Sequence, residues 1–124
     1  MREILFRGKR IDNGEWIYGD LIQDGKGYVG MWEQTPLSHN YKIDPSTVGQ
    51  YTGLTDKNGK KIFEGDIVTG FFNHEKIVGY IFYGSDASFF IQRDGLLGIG
   101  LNNASDWLEV IGNIHDNSEL LEGA

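Results

Sequence analysis

The sequence contains no cysteine. Disulfides, thiolate zinc sites and a cysteine nucleophile are thereby excluded. Proline occurs only twice. No apolar run approaches the roughly 18 residues of a membrane span. The first residues, "MREILFRGKR", lack the long apolar segment of a secretory signal, so a cytoplasmic protein with no membrane association is expected. Positive charge is scarce in the second half. Residues 63–124 carry two Lys/Arg against ten Asp/Glu, whereas residues 1–62 carry nine against eight. The acidic half repels polyanions, because affinity for nucleic acid rests on basic groups facing phosphates. A basic or neutral partner suits it better, and solubility is the plainer use of such charge.

Glycine and aromatic residues are what the sequence has in quantity. It holds 18 glycines in 124 residues, about twice the usual share of roughly 7%. Scattered among aromatic and β-branched residues, they signal tight turns and bulges, not a flexible linker. Three Trp, six Tyr and seven Phe, with 40% hydrophobic residues overall, suffice for the core of one compact domain.

Strand patterns dominate. Glu3–Ile11 and Glu15–Gln23 flank Asp12-Asn13-Gly14, where Asn-Gly suits a type I′ hairpin turn. Lys26–Gln34 follows Asp24-Gly25. Thr35–Thr47 has little periodicity and reads as a loop, in which Asp44 can cap one helical turn with Pro45 at its first position. Val48–Thr55, the Asn58-Gly59 turn, Lys60–Phe72, Lys76–Gly84 and Ser88–Gly95 continue the series. Short strands at nearly even spacing predict a small antiparallel barrel or sandwich. "LLGIGLNNASD" reads as a strand and a loop, and Trp107–Ile114 as a closing strand. Asp116 or Asn117 then caps a short helix, Ser118–Glu122, stopped by Gly123. So short a helix needs Leu120 and Leu121 docked on the barrel. "NGEWIYGDLI" (Asn13–Ile22) echoes "NGKKIFEGDIV" (Asn58–Val68), with Glu64 as one extra residue that marks a β-bulge. The echo is either a duplicated unit or one hairpin solution reached twice.

"LFRGKRIDNGEWIYGDLI", "IDPSTVGQYTGLTDKNGKKIFEGDIV" and "EVIGNIHDNSELL" together resemble the YopX family of proteins encoded by bacteriophages and prophages. The similarity is most specific from Ile43 to Val68. Ser118 stands where the family pattern suggests proline before "ELL". The resemblance implies a phage-borne or prophage-borne cytoplasmic protein of a Gram-positive host, a mostly β fold containing an SH3-like roll, and homo-oligomerisation. It carries no established activity, so no catalytic residues transfer.

Few residues carry a chemical signal. Asp20 and Asp66 each follow glycine and precede aliphatics. They read as acceptors for backbone N–H groups at a turn or bulge, not as acid–base or metal carboxylates. His39, His74 and His115 are far apart and read as ordinary histidines. No G-x-S-x-G elbow or phosphate loop occurs, and "GLLGIG" (Gly95–Gly100) falls short of G-x-G-x-x-G. An enzyme would need Asp20, Asp66 and His115 in one cleft. No catalytic, cofactor or metal residues are assigned. Arg7, Lys9 and Arg10 precede the first Asn-Gly turn, and Lys57, Lys60 and Lys61 surround the second. They are the candidate polyanion site, with Trp16 or Tyr18 to stack on bases, although lysines also protect strand edges. Phe71-Phe72 and Phe89-Phe90 each send one ring to either side of a strand, so part of this aromatic surface leaves the core and is a candidate interface.

The expectation is a mainly β chain: an N-terminal β-hairpin lobe (1–50), an SH3-like barrel (51–115), and a short C-terminal helix and tail (116–124). Its expected role is that of a non-catalytic phage accessory protein that binds protein, itself included, or a further host or phage protein. The alternative is a nucleic-acid factor using a basic hairpin tip.

Overall fold

The computed structural model describes residues 3–33, 39–93, 95–96 and 98–122. The start of the expected loop (35–38) and Gly123 lie outside them. The expected mainly β architecture is present. The chain divides into two compact units, 1–51 and 52–124.

The first unit contains β1 (Phe6–Lys9), β2 (Trp16–Gln23), β3 (Val29–Glu33), β4 (Asn40–Lys42) and the start of β5 (Gly49–Thr55). They pair antiparallel in the order β4-β3-β2-β1-β5. Alternation assigns the faces. Ile17 and Met31 on one face enclose Ile43, with Phe6, Leu21, Tyr41 and Val48 packed around them. The other face carries Lys9 opposite Trp16, Arg7 opposite Tyr18, and Asp20 opposite Trp32. Strand β4 corrects the reading of 35–47 as loop throughout. Three residues are too few for periodicity to register, and they form a strand because β3 offers them an edge. The Asp44-Pro45 signal is real, as a 3-10 turn over Pro45–Thr47. The Asp44 carboxylate accepts from Ser46 N at 3.1 Å and Ser46 Oγ at 2.8 Å.

The second unit takes up β5 beyond Tyr51 and pairs it with β6 (Lys61–Phe63). Then follow β7 (Asp66–Phe72), β8 (Glu75–Tyr83), β9 (Phe89–Gln92), β10 (Ile99–Gly100), a four-residue helix α1 (Ala104–Trp107), β11 (Glu109–Asn113) and a 3-10 turn (Ser118–Leu121). Its larger sheet runs β10-β9-β8-β7-β11, all antiparallel. No pairing among the described residues closes a barrel. The core gathers Ile62, Val68, Ile77, Ile81, Ile91, Ile99, Leu101 and Leu108.

Several local expectations are revised. Lys60–Phe72 is two strands: Glu64-Gly65 forms a turn, with Gly65 at φ +91°. The bulge falls instead at Ile111, where β11 gains a residue against β7. The sequence echo is therefore not a structural repeat. Gly65 turns the chain, whereas Gly19 lies inside β2, where a Cβ would stand 1.7 Å from the Trp32 carbonyl oxygen. Trp107 belongs to α1 and not to the closing strand. The last element is a 3-10 turn and buries no residue, and Leu120 stays exposed. Asn117 does not cap it, because its Oδ1 accepts from Asn113 N at 3.2 Å.

The Asn-Gly corners are not type I′ turns either. Only Gly14 and Gly59 have positive φ, not the asparagines before them. Their loops span four and three residues, closed by Arg10 N to Glu15 O at 2.9 Å and Asp56 N to Lys60 O at 2.8 Å. Loops of that length use a type I turn followed by a left-handed residue. The type I′ signature appears at Asn73-His74, where both residues have positive φ between paired Phe72 and Glu75. Ser85-Asp86-Ala87 repeats the three-residue design, closed by Gly84 N to Ser88 O at 2.8 Å, with Ala87 left-handed at φ +64°.

An L-residue other than glycine costs about 1–2 kcal/mol in that conformation, while glycine costs about 0.4–1 kcal/mol through the unfolded chain. Ala87→Gly is therefore expected to stabilise the protein by about 0.5–1 kcal/mol. Urea denaturation checks this, with a higher midpoint at unchanged slope.

Candidate functional site

Each unit presents one group of side chains that the core does not absorb, and the second unit also holds two buried carboxylates, Asp56 and Asp66. On the first unit's outer face, Lys9 and Trp16 are cross-strand partners, as are Arg7 and Tyr18. The Arg7 guanidinium lies 4.8 Å from the Trp16 ring centroid and Lys9 Nζ lies 5.4 Å from it. Such stacking satisfies a cation against the negative ring face. Arg7 is buried by this packing, while Tyr18 and Trp32 remain exposed. Arg10 lies 4.1 Å over Tyr41 and binds Asp12 through Nε at 2.9 Å and Nη2 at 2.6 Å. The hydrogen bond from Arg10 holds the Asp12 carboxyl below its ordinary value.

Lys57, Lys60 and Lys61 are exposed in the second unit. Lys57 Nζ is 3.9 Å from Glu109, and Lys60 adds its charge to the surroundings of Asp56. The candidate polyanion residues thus divide between the units. Arg7, Lys9, Arg10 and Lys57 each meet a ring or a carboxylate of their own unit, while Lys60 and Lys61 are exposed.

The phenylalanine pairs divide between faces. Phe89 packs against the core, and Phe72 sits 5.8 Å from the Trp107 ring. Phe90 stacks on Phe82 at 5.7 Å, and Tyr80 lies 6.4 Å from Phe82, forming a ladder of rings on the outer face of β8 and β9. Phe71, opposite Lys76, is 71% exposed. Beside the ladder runs a cleft of about 770 Å³, bordered by Glu75, Lys76, Arg93, Leu96, Leu121 and Glu122 among others. A second cleft of about 560 Å³ lies between Phe71, Phe72, Trp107 and the 98–100 segment, with Arg93 at its edge.

Of the two carboxylates expected to accept backbone N–H groups at a turn or bulge, Asp66 does so and Asp20, in mid-strand, does not. Asp66 is buried and accepts from Phe63 N at 2.7 Å. Asp20 is exposed on β2. His115 N donates to Asn113 Oδ1 at 3.0 Å. His39 lies against Tyr41 at 5.8 Å, and His74 serves the type I′ turn. Among the described residues no group of three or more His, Asp or Glu is placed to hold a metal, and no helix is long and apolar enough to cross a membrane.

A family model described as "YopX protein" matches residues 5–122. The chain belongs to the YopX family. No curated protein matches it. Among solved structures, protein EF1440 from Enterococcus faecalis is similar, with a TM-score of 0.62 and 29% identity, over 98% of this chain and 100% of that one.

The sequence reading of this YopX chain missed Asp56, whose carboxylate accepts three backbone N–H groups. Asp56 is 2% exposed. Its Oδ1 accepts from Asn58 N and Lys60 N, each at 2.9 Å, and its Oδ2 accepts from Val110 N at 2.9 Å. Lys57 N adds a bond to Leu108 O at 2.9 Å. The signal available was Asp-x-Asn-Gly, an aspartate at the first position of a turn. Its bond to a strand 54 residues away has no local trace. Burial opposes the charged form of Asp56, but N–H groups of Val110, Lys60 and Asn58, together with the Lys60 charge, outweigh it and hold the carboxyl below its ordinary value.

The folded pKa is thus lower than the unfolded value near about 3.9. The resulting stabilisation is complete above that value and is lost as pH falls through the folded pKa. Asp56→Asn keeps one acceptor for the turn but sets an amide N–H₂ against Val110 N–H. It is expected to cost about 2–3 kcal/mol at pH 7, with the deficit shrinking below about pH 4. Denaturant titrations of both proteins at pH 7 and pH 3 test this. A deficit independent of pH contradicts it.

Proposed function

We propose that this YopX protein is a non-catalytic accessory protein of a phage or prophage that works by binding protein, first of all a second copy of itself. The observation that carries the reading is Phe71, open to solvent on the same sheet face as the half-buried Tyr80–Phe82–Phe90 ring ladder. One exposed ring and three half-buried ones on a single sheet face match the aromatic-rich composition of an interface core. The charges around the adjacent cleft favour a second copy. Lys76 and Arg93 stand with Glu75 and Glu122, two of each sign. A patch of balanced sign is self-complementary about a two-fold axis, whereas a strongly basic or acidic partner would leave half of these charges opposed. A nucleic-acid role is the weaker reading, because four of the six candidate cations are engaged inside their own units and residues 52–124 carry five Lys/Arg against eleven Asp/Glu.

Light scattering after size exclusion at tens of micromolar is expected to give at least twice the 14.0 kDa chain mass. Phe71→Ser is expected to return the single-chain mass with little change in unfolding midpoint, since the ring contributes little to the core. A wild-type monomer under these conditions contradicts the proposal.

A further inference from the structure

The smaller cleft of the second unit is built around one arginine. Arg93 follows β9 on the core-facing side, across from Gly79, where an added Cβ would lie 3.3 Å from Arg93 Cγ. The missing side chain lets the arginine stem lie flat over β8. Gly70 does the same for the opposite wall. A Cβ there would meet the Trp107 ring at 2.8 Å, and the indole is pinned by Nε1 donating to the Asn102 carbonyl at 3.0 Å. The two notches thus seat a cation and a flat ring on the rim of one cleft of about 560 Å³.

The Arg93 Nε is shut off from solvent and has no hydrogen-bond partner. Among the described residues no carboxylate pairs with the guanidinium. The half-buried guanidinium therefore borders the cleft with its charge not neutralised by any described carboxylate, and a buried charge is costly until it is paired. The walls beside it are Phe72 and Trp107, with Asn73 and Asn102 supplying amides at the margin. A cleft of this size, with aromatic walls and polar groups in equal share, fits a small ligand or the end of a chain that carries both a charge and an apolar body.

We propose that this cleft binds a carboxylate carried on a flat apolar group, the charge on Arg93 and the apolar body against Phe72 and Trp107. A guanidinium fork matches a carboxylate in geometry and charge. A single cation in a unit with a surplus of six acidic residues suits a monoanion, and a phosphate dianion is repelled. The carboxylate has two natural sources, a free aromatic acid and the C-terminus of a polypeptide ending in an aromatic residue. Phe71 and Arg93 also belong to the surface proposed for self-association, so the titration is repeated on Phe71→Ser, where carboxylate binding is expected to persist without self-association.

The test is nitrogen-edited NMR of the full chain, following the Trp107 indole and the Arg93 Nε–H. The probes are N-acetyl-phenylalanine, its amide, and an uncharged pentapeptide ending in phenylalanine with a free carboxylate. The free acid or the peptide is expected to give saturable shifts of both signals with a Kd of about 1 mM or tighter, at least tenfold tighter than the amide. Response to the peptide alone assigns the source to a chain terminus, and response to both assigns it to the shared carboxylate. Arg93→Gln is expected to abolish the preference for acid over amide, and Arg93→Lys to retain part of it. Equal binding of acid and amide by the wild type, or no shift at Trp107, overturns the proposal even if Arg93→Gln does not fold.

Discussion

The second unit depends on one buried carboxylate. A closing strand at the edge of a sheet turns half its N–H groups away from its neighbour, and each such group is a template for unwanted pairing. In β11 the outward N–H of Val110 is taken by Asp56, 54 residues earlier, at 2.9 Å. The same carboxylate organises the hairpin between β5 and β6 through Asn58 and Lys60. One side chain thus shapes a turn, protects an edge and ties the last strand to the start of its unit. Three donors around a charge make this arrangement stronger than three neutral bonds.

With the ends of the unit joined in this way, the rest of its surface is free to specialise. The core is filled mainly by isoleucine, valine and leucine, with Phe63 also buried, so the phenylalanine pairs of β7 and β9 are left to its periphery. Strand alternation sends Phe89 and Phe72 inward and Phe90 and Phe71 outward. Phe90 joins the ladder and Phe71 stands exposed on the same face, both proposed for self-association, and Phe72 near the sheet end forms a wall of the Arg93 cleft. In the first unit aromatic residues do different work, absorbing the charge of Arg7, Lys9 and Arg10 by stacking. A basic cluster in the sequence is therefore a poor guide to a basic surface.

Much of the architecture was legible because it is local. Glycine-punctuated runs marked the hairpins, and Asp44-Pro45 marked its turn. The alternation in Phe71-Phe72 and Phe89-Phe90 was enough to divide those rings between faces. Other features depend on partners distant in sequence. Strand β4 exists because β3 gives it an edge, and Ile111 bulges because β11 must match β7. Turn type depended on loop length more than on the Asn-Gly pair, which is why the type I′ geometry went to Asn73-His74. Asp56 looked like an ordinary turn residue, since nothing near it reveals Val110. Arg93 gave no signal because its importance comes from what Gly79 and Gly70 leave empty.

Hydrogen exchange at the Val110 amide tests the account most directly. An edge-strand N–H facing away from its sheet ordinarily exchanges quickly, limited only by local fluctuation. Held by a buried carboxylate, it should exchange on the timescale of global unfolding, as slowly as the amides of Ile81 in the centre of the sheet. Exchange of Val110 as rapid as that of exposed loop amides would show that Asp56 does not hold the closing strand.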